Sequence, residues 1–365
     1  MIQGWEIKKL GEVCSINYGT RVVQKKDGGT IFPVYGGGGA TFRMDKYNRE
    51  DCLVVSRFAM SSQCVRYVVG KFFLNDSGLT IESNSPKLKQ SFLDKHIIAY
   101  NDKIYSLGKG AAQRNLDIKA LKEVSINYPP IAEQEKIVAE LDCLSGIIEK
   151  KKQQLKELDN LAQSIFYEMF GDPVENDKGW EMKRLGDISQ SQIGITYKPE
   201  NVSDDNGTIV LRSGNIQESA LCFNDIVRVN CDIKEHKYVQ KGDILMCSRN
   251  GSHRLVGKVA MIPELSEKMT YGAFMTIIRS DFQSYLFAFF KTPAFRSQLT
   301  SAQTATINQI TVKMLNEIIV GLPPLSLQQD FASKIESIEK QKELLAQSIK
   351  ETETLFNSRM DYYFN

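Results

Sequence analysis

The chain contains the same opening motif twice, and this repetition limits how it can fold more than any other feature. Residues 4–13 read GWEIKKLGEV, and residues 179–188 read GWEMKRLGDI. Trp5 and Trp180, one in each motif, are the two tryptophans of the 365-residue sequence. Repeats of well over a hundred residues are too long to be solenoid units, so they indicate duplicated domains.

Two more motifs recur in the same order. Residues 128–135, YPPIAEQE, return as residues 322–329, LPPLSLQQ. Upstream, residues 51–57, DCLVVSR, match residues 243–249, DILMCSR. The apolar run in residues 51–57, like that in residues 243–249, predicts a strand that leads into a loop, with Ser-Arg where the strand ends. The duplication therefore extends through most of each half.

Helices are predicted at corresponding places in the two copies. Asp117 and Thr311 each precede a short apolar stretch, where a side-chain oxygen can cap a helix. After each Pro-Pro, apolar residues recur at alternating steps of three and four through residues 131–170 and 325–365. This heptad spacing predicts two helices of about 60 Å each. We interpret them as a coiled-coil pair rather than as helices packed on their own domains.

The net charge of +2 conceals an uneven distribution. Residues 1–130 carry 19 Lys and Arg against 12 Asp and Glu, a net charge of +7, whereas residues 171–324 carry 17 of each. The segments 131–170 and 325–365 have net charges of −3 and −2. The basic excess suggests a polyanionic partner for the first block.

The composition favours a cytoplasmic protein without a metal site. The longest apolar run, residues 285–290, is too short to span a bilayer, and the N-terminus has no apolar signal-like segment. The seven cysteines form no C-x-x-C pair, which is typical of reduced thiols. Three histidines, far apart in sequence, leave little for a zinc site.

The sequence lacks the motifs of a nucleotide-dependent enzyme. It contains neither a G-x-x-x-x-G-K-[ST] phosphate loop nor a G-x-G-x-x-G that opens a βαβ unit. Residues 127–130, NYPP, have the residue types of an adenine methyltransferase's Asn-Pro-Pro-Tyr in a different order, and the second copy has GLPP at residues 321–324. We interpret both as corners between a domain and a helix, and we expect no catalytic residues in this chain.

The candidate functional residues are basic and polar side chains in predicted loops. Arg, Asn, Gln and Ser are residue types that bind phosphates and read base edges. The candidates for DNA contact are Arg43, Ser56, Arg57, Lys109, Gln113, Arg114 and Asn115 in the first copy, and Arg212, Asn215, Ser248, Arg249, Asn250, His253, Arg254 and Asn308 in the second. Polar loops are often merely solvated, but Arg57 and Arg249 occupy corresponding positions. Alternatively, these two pair with Asp51 and Asp243, or with backbone carbonyls.

Taken together, these motifs resemble the specificity subunit of type I restriction–modification systems. The resemblance rests on Gly-Trp-Glu-x-Lys-x-Leu-Gly-(Asp/Glu) opening each half, Pro-Pro-x-x-x-Gln-(Glu/Gln) closing it, and the long helix that follows. It implies an α+β fold: two duplicated mixed α/β target-recognition domains, residues 1–130 and 171–324, separated by two long helices, residues 131–170 and 325–365. The helices would form an antiparallel coiled coil with pseudo-twofold symmetry, and each domain would read half of a bipartite, asymmetric DNA sequence.

The resemblance also implies partners. Two modification subunits would methylate adenine with S-adenosylmethionine, and two restriction subunits using ATP and Mg could join them. This chain itself would bind no cofactor. The second helix departs from the first in having Ser326-Leu327 in place of Ala132-Glu133. The alternative function is a structural adaptor that binds no DNA and carries two protein-binding domains on a coiled-coil ruler. Salt-dependent DNA binding would distinguish the two.

An antiparallel pairing of the helices predicts a register. Positions whose numbers sum to about 500 should face each other along the coiled coil. Lys151 would then lie near Ile349, and Lys342 near Leu158. We expect each lysine to lay its methylene stem on the apolar partner and to direct its ammonium group to solvent.

A lengthened coiled coil tests whether the helices set the gap in a bipartite site. Adding one heptad to both helices keeps the pairing and lengthens each by about 10 Å. We expect the variant to recognise both original half-sites with a gap about three base pairs longer, because a turn of about ten base pairs rises 34–36 Å. A binding or methylation map measures the gap. An unaltered gap would show that the helices do not set the spacing.

Overall fold

Both ends of the sequence belong to the same folded unit. The structure, a computed structural model, divides into two compact units: Met1–Gln153 with Leu345–Asn365, and Gln154–Leu344. The described residues are 4–110, 113–173, 175–204, 206–301 and 309–365.

The first unit is built around one mixed sheet. Its strands are β1 (Glu6–Lys9), β2 (Cys14–Tyr18), β3 (Phe32–Gly36), β4 (Gly39–Met44), β5 (Arg49–Ser56), β6 (Val65–Leu74), β7 (Gly78–Ser83), β8 (Gly108–Lys109), β9 (Asn115–Leu116) and β10 (Ser125–Tyr128). Six of them form a sheet in the order β2-β7-β5-β6-β3-β4, in which β3 and β6 are parallel and the other neighbours antiparallel. The four glycines at residues 36–39 form the hairpin between β3 and β4, with its turn at residues 37–38.

Short helices cover this sheet, and one long helix leaves the unit. They are α1 (Leu10–Val13), α2 (Gln24–Asp27), α3 (Gln90–Ala99), α4 (Asn101–Ser106), α5 (Ile118–Lys122) and α6 (Ile131–Phe170). Helix α6 begins directly after Pro130, whose carbonyl accepts from the N–H of Glu133 at 2.9 Å. It ends at Gly171, which has a φ of +75° and donates to the Tyr167 carbonyl at 2.8 Å. This left-handed conformation favours glycine and stops the helix.

The second unit contains smaller sheets. Its strands are β11 (Glu181–Arg184), β12 (Gln190–Ile193), β13 (Val202–Ser203), β14 (Thr208–Leu211), β15 (Ile216–Gln217), β16 (Ala220–Leu221), β17 (Arg228–Val229), β18 (Ile244–Cys247), β19 (Val259–Met261), β20 (Met269–Tyr271), β21 (Met275–Arg279) and β22 (Ile319–Leu322). Two four-stranded sheets have the orders β12-β21-β18-β19 and β13-β17-β14-β20.

The helices of the second unit include the start of the second long helix. They are α7 (Leu185–Ile188), α8 (Gln283–Phe290), α9 (Pro293–Ser301), α10 (Val312–Glu317) and α11 (Leu325–Phe364), with 3-10 turns at Pro199–Asn201, Ser213–Asn215 and Glu235–Lys237. Helices α6 and α11 each contain 40 residues. The predicted architecture, mixed α/β domains and two long helices, is confirmed.

The sequence repeats correspond to repeated structure. The opening strand pairs antiparallel with the closing strand in each copy, β1 with β10 and β11 with β22. The predicted caps are confirmed: the Asp117 carboxylate accepts from two N–H groups of α5, and the Thr311 hydroxyl accepts from an N–H of α10 at 3.2 Å. Strands β5 and β18 end at the two Ser-Arg exits, as predicted.

Within the first unit, α6 and the end of α11 pair antiparallel in the predicted register. The Glu140 carboxylate accepts from the Arg359 guanidinium at 2.5 and 3.0 Å. The Lys151 ammonium donates to the hydroxyls of Ser348 and Thr352 at 2.7 and 2.8 Å and to the Ser348 carbonyl at 3.2 Å. The residue numbers in each of these pairs sum to about 500, as the predicted antiparallel register requires.

The prediction that the lysine ammonium groups point to solvent is wrong, although the register is right. All three N–H donors of Lys151 have protein acceptors, so its ammonium is not directed to solvent. In the second unit, the Lys342 ammonium lies 2.9 Å from Asp159 and 3.1 Å from Glu339, and its side chain is 18% exposed. A partly buried ammonium needs acceptors, because desolvation of an unpaired charge is costly.

The last residue of each long helix is buried in the core of a unit. Phe364 is 2% exposed, and its ring centroid lies 5.3 Å from that of Phe92. Phe170 is also 2% exposed, and its centroid lies 4.8 Å from that of Tyr285. In the second unit, the opening Trp180 donates its indole N–H to the Phe170 carbonyl at 2.8 Å. In this unit, the opening motif thus lies against a helix end.

Removal of the Phe364 ring should destabilise the first unit. Phe364→Ala is expected to lower its free energy of unfolding by about 3–5 kcal/mol, the usual cost of removing a buried aromatic ring. In a Trp180→Phe background, the fluorescence of Trp5, which packs on Phe92, reports urea unfolding of this unit. The control Tyr362→Ala removes a neighbouring ring that is 61% exposed. Equal effects of the two substitutions would contradict the burial argument.

His96 is a buried titratable group in the same core. It is fully buried, and neither ring nitrogen has a hydrogen-bond partner among the residues that the structure describes. Its ring packs against Tyr100 and Phe364, with centroids at 4.5 and 4.9 Å, and Lys103 is the charged group that acts on it. Burial lowers the pKa of His96 to about 3. The imidazole is therefore neutral in the folded protein.

The first unit should lose stability in mild acid because of His96. Below the unfolded pKa of about 6.5, the unfolded chain binds a proton that the folded chain cannot bind. The free energy of unfolding should therefore fall towards pH 3, by up to about 1.4 kcal/mol per pH unit from this group. Urea unfolding at pH 7 and 5, followed by Trp5 fluorescence, measures the slope. His96→Phe should flatten it, whereas the exposed control His236→Phe should not; a parallel slope in both would refute the assignment.

Candidate nucleic-acid interface

Arg57 lies where β5 leaves the six-stranded sheet, and its backbone is fixed on both sides. Its N–H donates to the Ser77 carbonyl at 2.8 Å, and its carbonyl accepts from the Leu116 N–H at 2.9 Å. The guanidinium carbon lies 4.7 Å from the centroid of the Tyr18 ring and 4.5 Å from that of Phe58. Both distances lie within the range of cation–π attraction. The half-buried side chain is thus supported by two rings at a strand end.

Arg249 has the corresponding place after β18 in the second unit. Its N–H donates to the Phe274 carbonyl at 3.0 Å, and its guanidinium carbon lies 5.3 Å from the centroid of the Phe274 ring. A backbone bridge joins it to Gln309. Phe274 is 58% exposed, and Arg249 is exposed as well. An arginine supported by an aromatic ring therefore follows the equivalent strand in each unit.

The alternative in which these arginines pair with the preceding aspartates is wrong. Asp243 is 2% exposed and accepts from Arg279 at 2.7 and 2.6 Å. The Asp51 carboxylate accepts from the Gly70 N–H at 2.7 Å. The backbone-carbonyl alternative has one weak contact, from Arg57 Nη1 to a carbonyl oxygen at 3.5 Å. Neither guanidinium is paired with a carboxylate in the described ranges.

Three candidates are buried and serve the fold. Ser56 and Ser248 are 1% and 4% exposed, and each hydroxyl donates to a backbone carbonyl of a neighbouring turn, at 2.7 and 3.0 Å. Asn215 is 1% exposed, and its amide donates to two backbone carbonyls, both at 2.9 Å. These polar groups form hydrogen bonds inside the protein and so position the adjacent loops. They are therefore not part of the candidate surface.

Lys109 lies on the surface of the first unit beside a helix cap. Its ammonium lies 2.6 Å from Asp117, and its side chain is 78% exposed. The hydrogen bond from Lys109, with that from the backbone N–H of Ala120, lowers the pKa of Asp117. Exposed ion pairs of this kind are weak. Lys109 can therefore exchange its carboxylate partner for a phosphate.

The loop that follows Lys109 carries three further candidates. The guanidinium carbon of Arg114 lies 4.6 Å from the centroid of the Tyr105 ring. The exposed Asn115 accepts from the Ala59 N–H at 3.4 Å, which joins this loop to the one that begins at Arg57. Gln113 is exposed. The structure thus brings these residues close to Arg57.

Arg43 is not part of this cluster. It lies on β4 opposite Pro33, at the end of the hairpin away from the turn at residues 37–38. Its Nη1 donates to the Ile31 carbonyl at 2.5 Å. The turn itself lies beside the Arg57 loop, because the buried Ser56 hydroxyl donates to the Gly37 carbonyl. Arg43 therefore faces a different part of the first unit.

In the second unit, the remaining candidates flank the Arg249 loop. The Asn250 amide donates to the Ser213 hydroxyl at 3.1 Å, and Arg212 next to it lies 2.8 Å from Asp225. Two candidates in the turn after β18 are exposed: His253 and Arg254. Asn308 lies outside the described residues.

The aromatic support of the two arginines was not predicted. Phe58 follows Arg57 directly in the sequence, but Tyr18 and Phe274 come from segments distant in sequence from the arginines that they support. Arg66 donates to the Gly37 carbonyl at 2.7 Å and holds the glycine turn against the Arg57 loop. No spacing rule connects these residues, because the sheet order brings them together.

Two kinds of feature are absent from the described ranges. There, no group of three or more His, Cys, Asp or Glu side chains is placed to hold a metal ion. In the same residues, no helix combines the length and apolarity needed to cross a bilayer.

Known proteins similar to this chain include curated type I restriction enzyme subunits. The EcoKI specificity subunit of Escherichia coli K12 is 24% identical over 261 residues, which cover 66% of this chain and 56% of that protein. The MjaIX specificity subunit of Methanocaldococcus jannaschii is 24% identical over 250 residues, covering 63% of this chain and 57% of that protein. The chain thus spans little more than half the length of these relatives.

Two solved structures share the fold. The S subunit of a type I restriction–modification system from M. genitalium superposes with a TM-score of 0.57 at 16% identity, covering 99% of this chain and 96% of that one. A chain from a structure on complex assembly and conformational transition of the type I R-M system has a TM-score of 0.58 at 18% identity, with coverage of 100% and 98%. The family described as type I restriction modification DNA specificity domain matches residues 2–160 and 177–354. Because these two matches include most of the sequence, the chain belongs to the type I restriction–modification DNA specificity family.

Proposed function

We propose that this chain is the DNA sequence-specificity subunit of a type I restriction–modification complex. Each unit reads one half of a bipartite, asymmetric duplex sequence, and the helices set the gap between the halves. The observation that carries the proposal is the repeated ring-supported arginine, Arg57 in one unit and Arg249 in the other. A duplicated reader in one chain suits an asymmetric site, because the two copies are free to diverge.

The first unit offers a basic surface beside Arg57. Arg114 and the exposed Lys109 lie on loops joined to the Arg57 loop through Asn115, and the sequence up to residue 130 has a net charge of +7. Such a surface suits the phosphates of duplex DNA. Asp117, the nearby carboxylate, already binds Lys109 and caps α5.

The proposed partners are two adenine-methyltransferase subunits on the helices, with two restriction subunits as a possible addition. Exposed apolar side chains on both helices support a docking role: Ile147, Leu161, Leu344 and Leu355 are 37–62% exposed. Catalysis would belong to those partners, with S-adenosylmethionine, ATP and Mg bound there. We propose that this chain is a non-catalytic, cytoplasmic protein.

DNA binding by the purified chain, or by its complex with modification subunits, tests the proposal. Affinity for a duplex that contains the site should fall steeply with salt, because contacts with several phosphates release counterions. The competing function, a structural adaptor that binds only proteins, predicts no such binding. Partner capture without salt-dependent DNA binding would establish the adaptor. Transfer of a labelled methyl group to DNA by this chain alone would contradict the non-catalytic assignment.

The two arginines should affect separate halves of the site. Arg57→Ala is expected to weaken recognition of one half-site by about 1–3 kcal/mol, and Arg249→Ala that of the other, if each contacts a base. Binding to duplexes mutated in one half-site at a time measures the effect. Arg43→Ala, at the other end of the β3–β4 hairpin, is the control. Losses spread evenly over both halves would contradict separate readers.

A further inference from the structure

Arg57 and Arg249 differ from several other arginines in what their guanidinium groups contact, and Arg114, which lies over the Tyr105 ring, shares their arrangement. Four others lie within 2.8 Å of a carboxylate: Arg212, Arg228, Arg279 and Arg359. Arg57 and Arg249 have no such carboxylate in the parts of the chain that are described, and instead lie over aromatic rings. A guanidinium that stacks on an aromatic face keeps its N–H donors pointing outwards in its own plane.

Both arginines are also held at the backbone. The N–H of each donates to a carbonyl of another segment, Ser77 for Arg57 at 2.8 Å and Phe274 for Arg249 at 3.0 Å. The side chain therefore starts from a fixed point, and its guanidinium group lies against a ring. This reduces the rotamer freedom lost when its donors bind a ligand.

The ligand that suits a fixed, planar pair of N–H donors is a pair of acceptors at matching spacing. In the major groove of DNA, guanine presents O6 and N7 in this arrangement, and arginine binds both at once. A phosphate also accepts two hydrogen bonds from a guanidinium, but it lies beside every base and carries no sequence information. An arginine supported in the same way at the same strand exit of both proposed readers therefore favours a base edge over the backbone.

We propose that Arg57 and Arg249 each read one guanine through its O6 and N7 atoms, one in each half of the DNA site. This inference rests on the proposed function and names the base that each unit reads at one position. Tyr18 and Phe58 in the first unit, and Phe274 in the second, are positioning residues that hold the guanidinium plane. Each half-site must then contain a G·C pair, and replacement of that pair should weaken binding through the loss of its contact with one arginine.

The test uses the full chain in its complex with modification subunits, on duplexes that carry the site found by methylation mapping. Each guanine is replaced singly by 7-deazaguanine, which keeps base pairing but lacks the N7 acceptor. In the unsubstituted protein, one position in each half-site should weaken binding by about 5- to 100-fold, the range for loss of a good base contact. In Arg57→Ala that penalty should vanish in one half-site alone, and in Arg249→Ala in the other.

Further variants separate base reading from charge and from folding. Arg57→Lys keeps the positive charge but loses the planar donor pair, so the 7-deazaguanine penalty should be reduced while the salt dependence of binding is kept. Phe58→Leu or Phe274→Leu keeps the arginine and should reduce the penalty in its half-site. Arg43→Ala should leave both penalties unchanged.

Three outcomes would overturn the inference while the proposed function stands. They are a half-site without guanine on either strand, a 7-deazaguanine penalty that persists in the alanine variants, and a uniform loss of affinity for all sequences, which would mean a phosphate contact. Absence of any sequence-dependent binding by the unsubstituted complex would instead refute the proposed function.

Discussion

Burial of the aromatic end of each long helix is the contact on which the rest of the structure depends. An isolated helix with a narrow apolar face has little stability of its own, so packing must hold it. Phe170 and Phe364 supply that packing, each 2% exposed in the core of a unit. Phe364 packs in the same core as Trp5, so this core joins segments that are far apart in the sequence. Such long-range contacts slow folding and couple the two segments.

Polar contacts then fix how the helices align. An apolar seam alone would tolerate a shift of one heptad, since every shift by seven residues again faces apolar positions. Lys151 with Ser348 and Thr352, and Glu140 with Arg359, occur at one register only. A shift would leave a partly buried ammonium or carboxylate without its partner, which costs free energy. The apolar seam stabilises the pairing of the helices, and the polar pairs select its register.

Local signals in the sequence predicted most of the framework. Helix α6 starts after Pro130 and stops at Gly171 because proline suits a first turn and glycine adopts a positive φ. The sheet order could not be predicted, since parallel pairing of β3 with β6 depends on distant segments. The same limit affected the site. Ser56 and Asn215 were predicted to contact DNA from loops, and their burial could not be predicted, because it depends on hydrogen-bond acceptors that the fold provides. Arg57 and Arg249 were identified from repetition, but their supporting rings were not.

The two units share the same framework positions and differ in the segments that lie between these positions. This difference bears on how such a chain acquires a new specificity. What repeats is the opening strand, the cap, the strand exit with its arginine, and the aromatic helix end. What differs is the sheet, one of six strands in the first unit and two of four in the second. Contacts that hold a helix end cannot vary without loss of the core, whereas loops beyond a strand exit can change at small cost. Under the proposed function, the arginines at these exits are anchored by the constant part and surrounded by the variable part. A reader built this way can change the bases around an anchored contact while the framework contacts of each unit are kept.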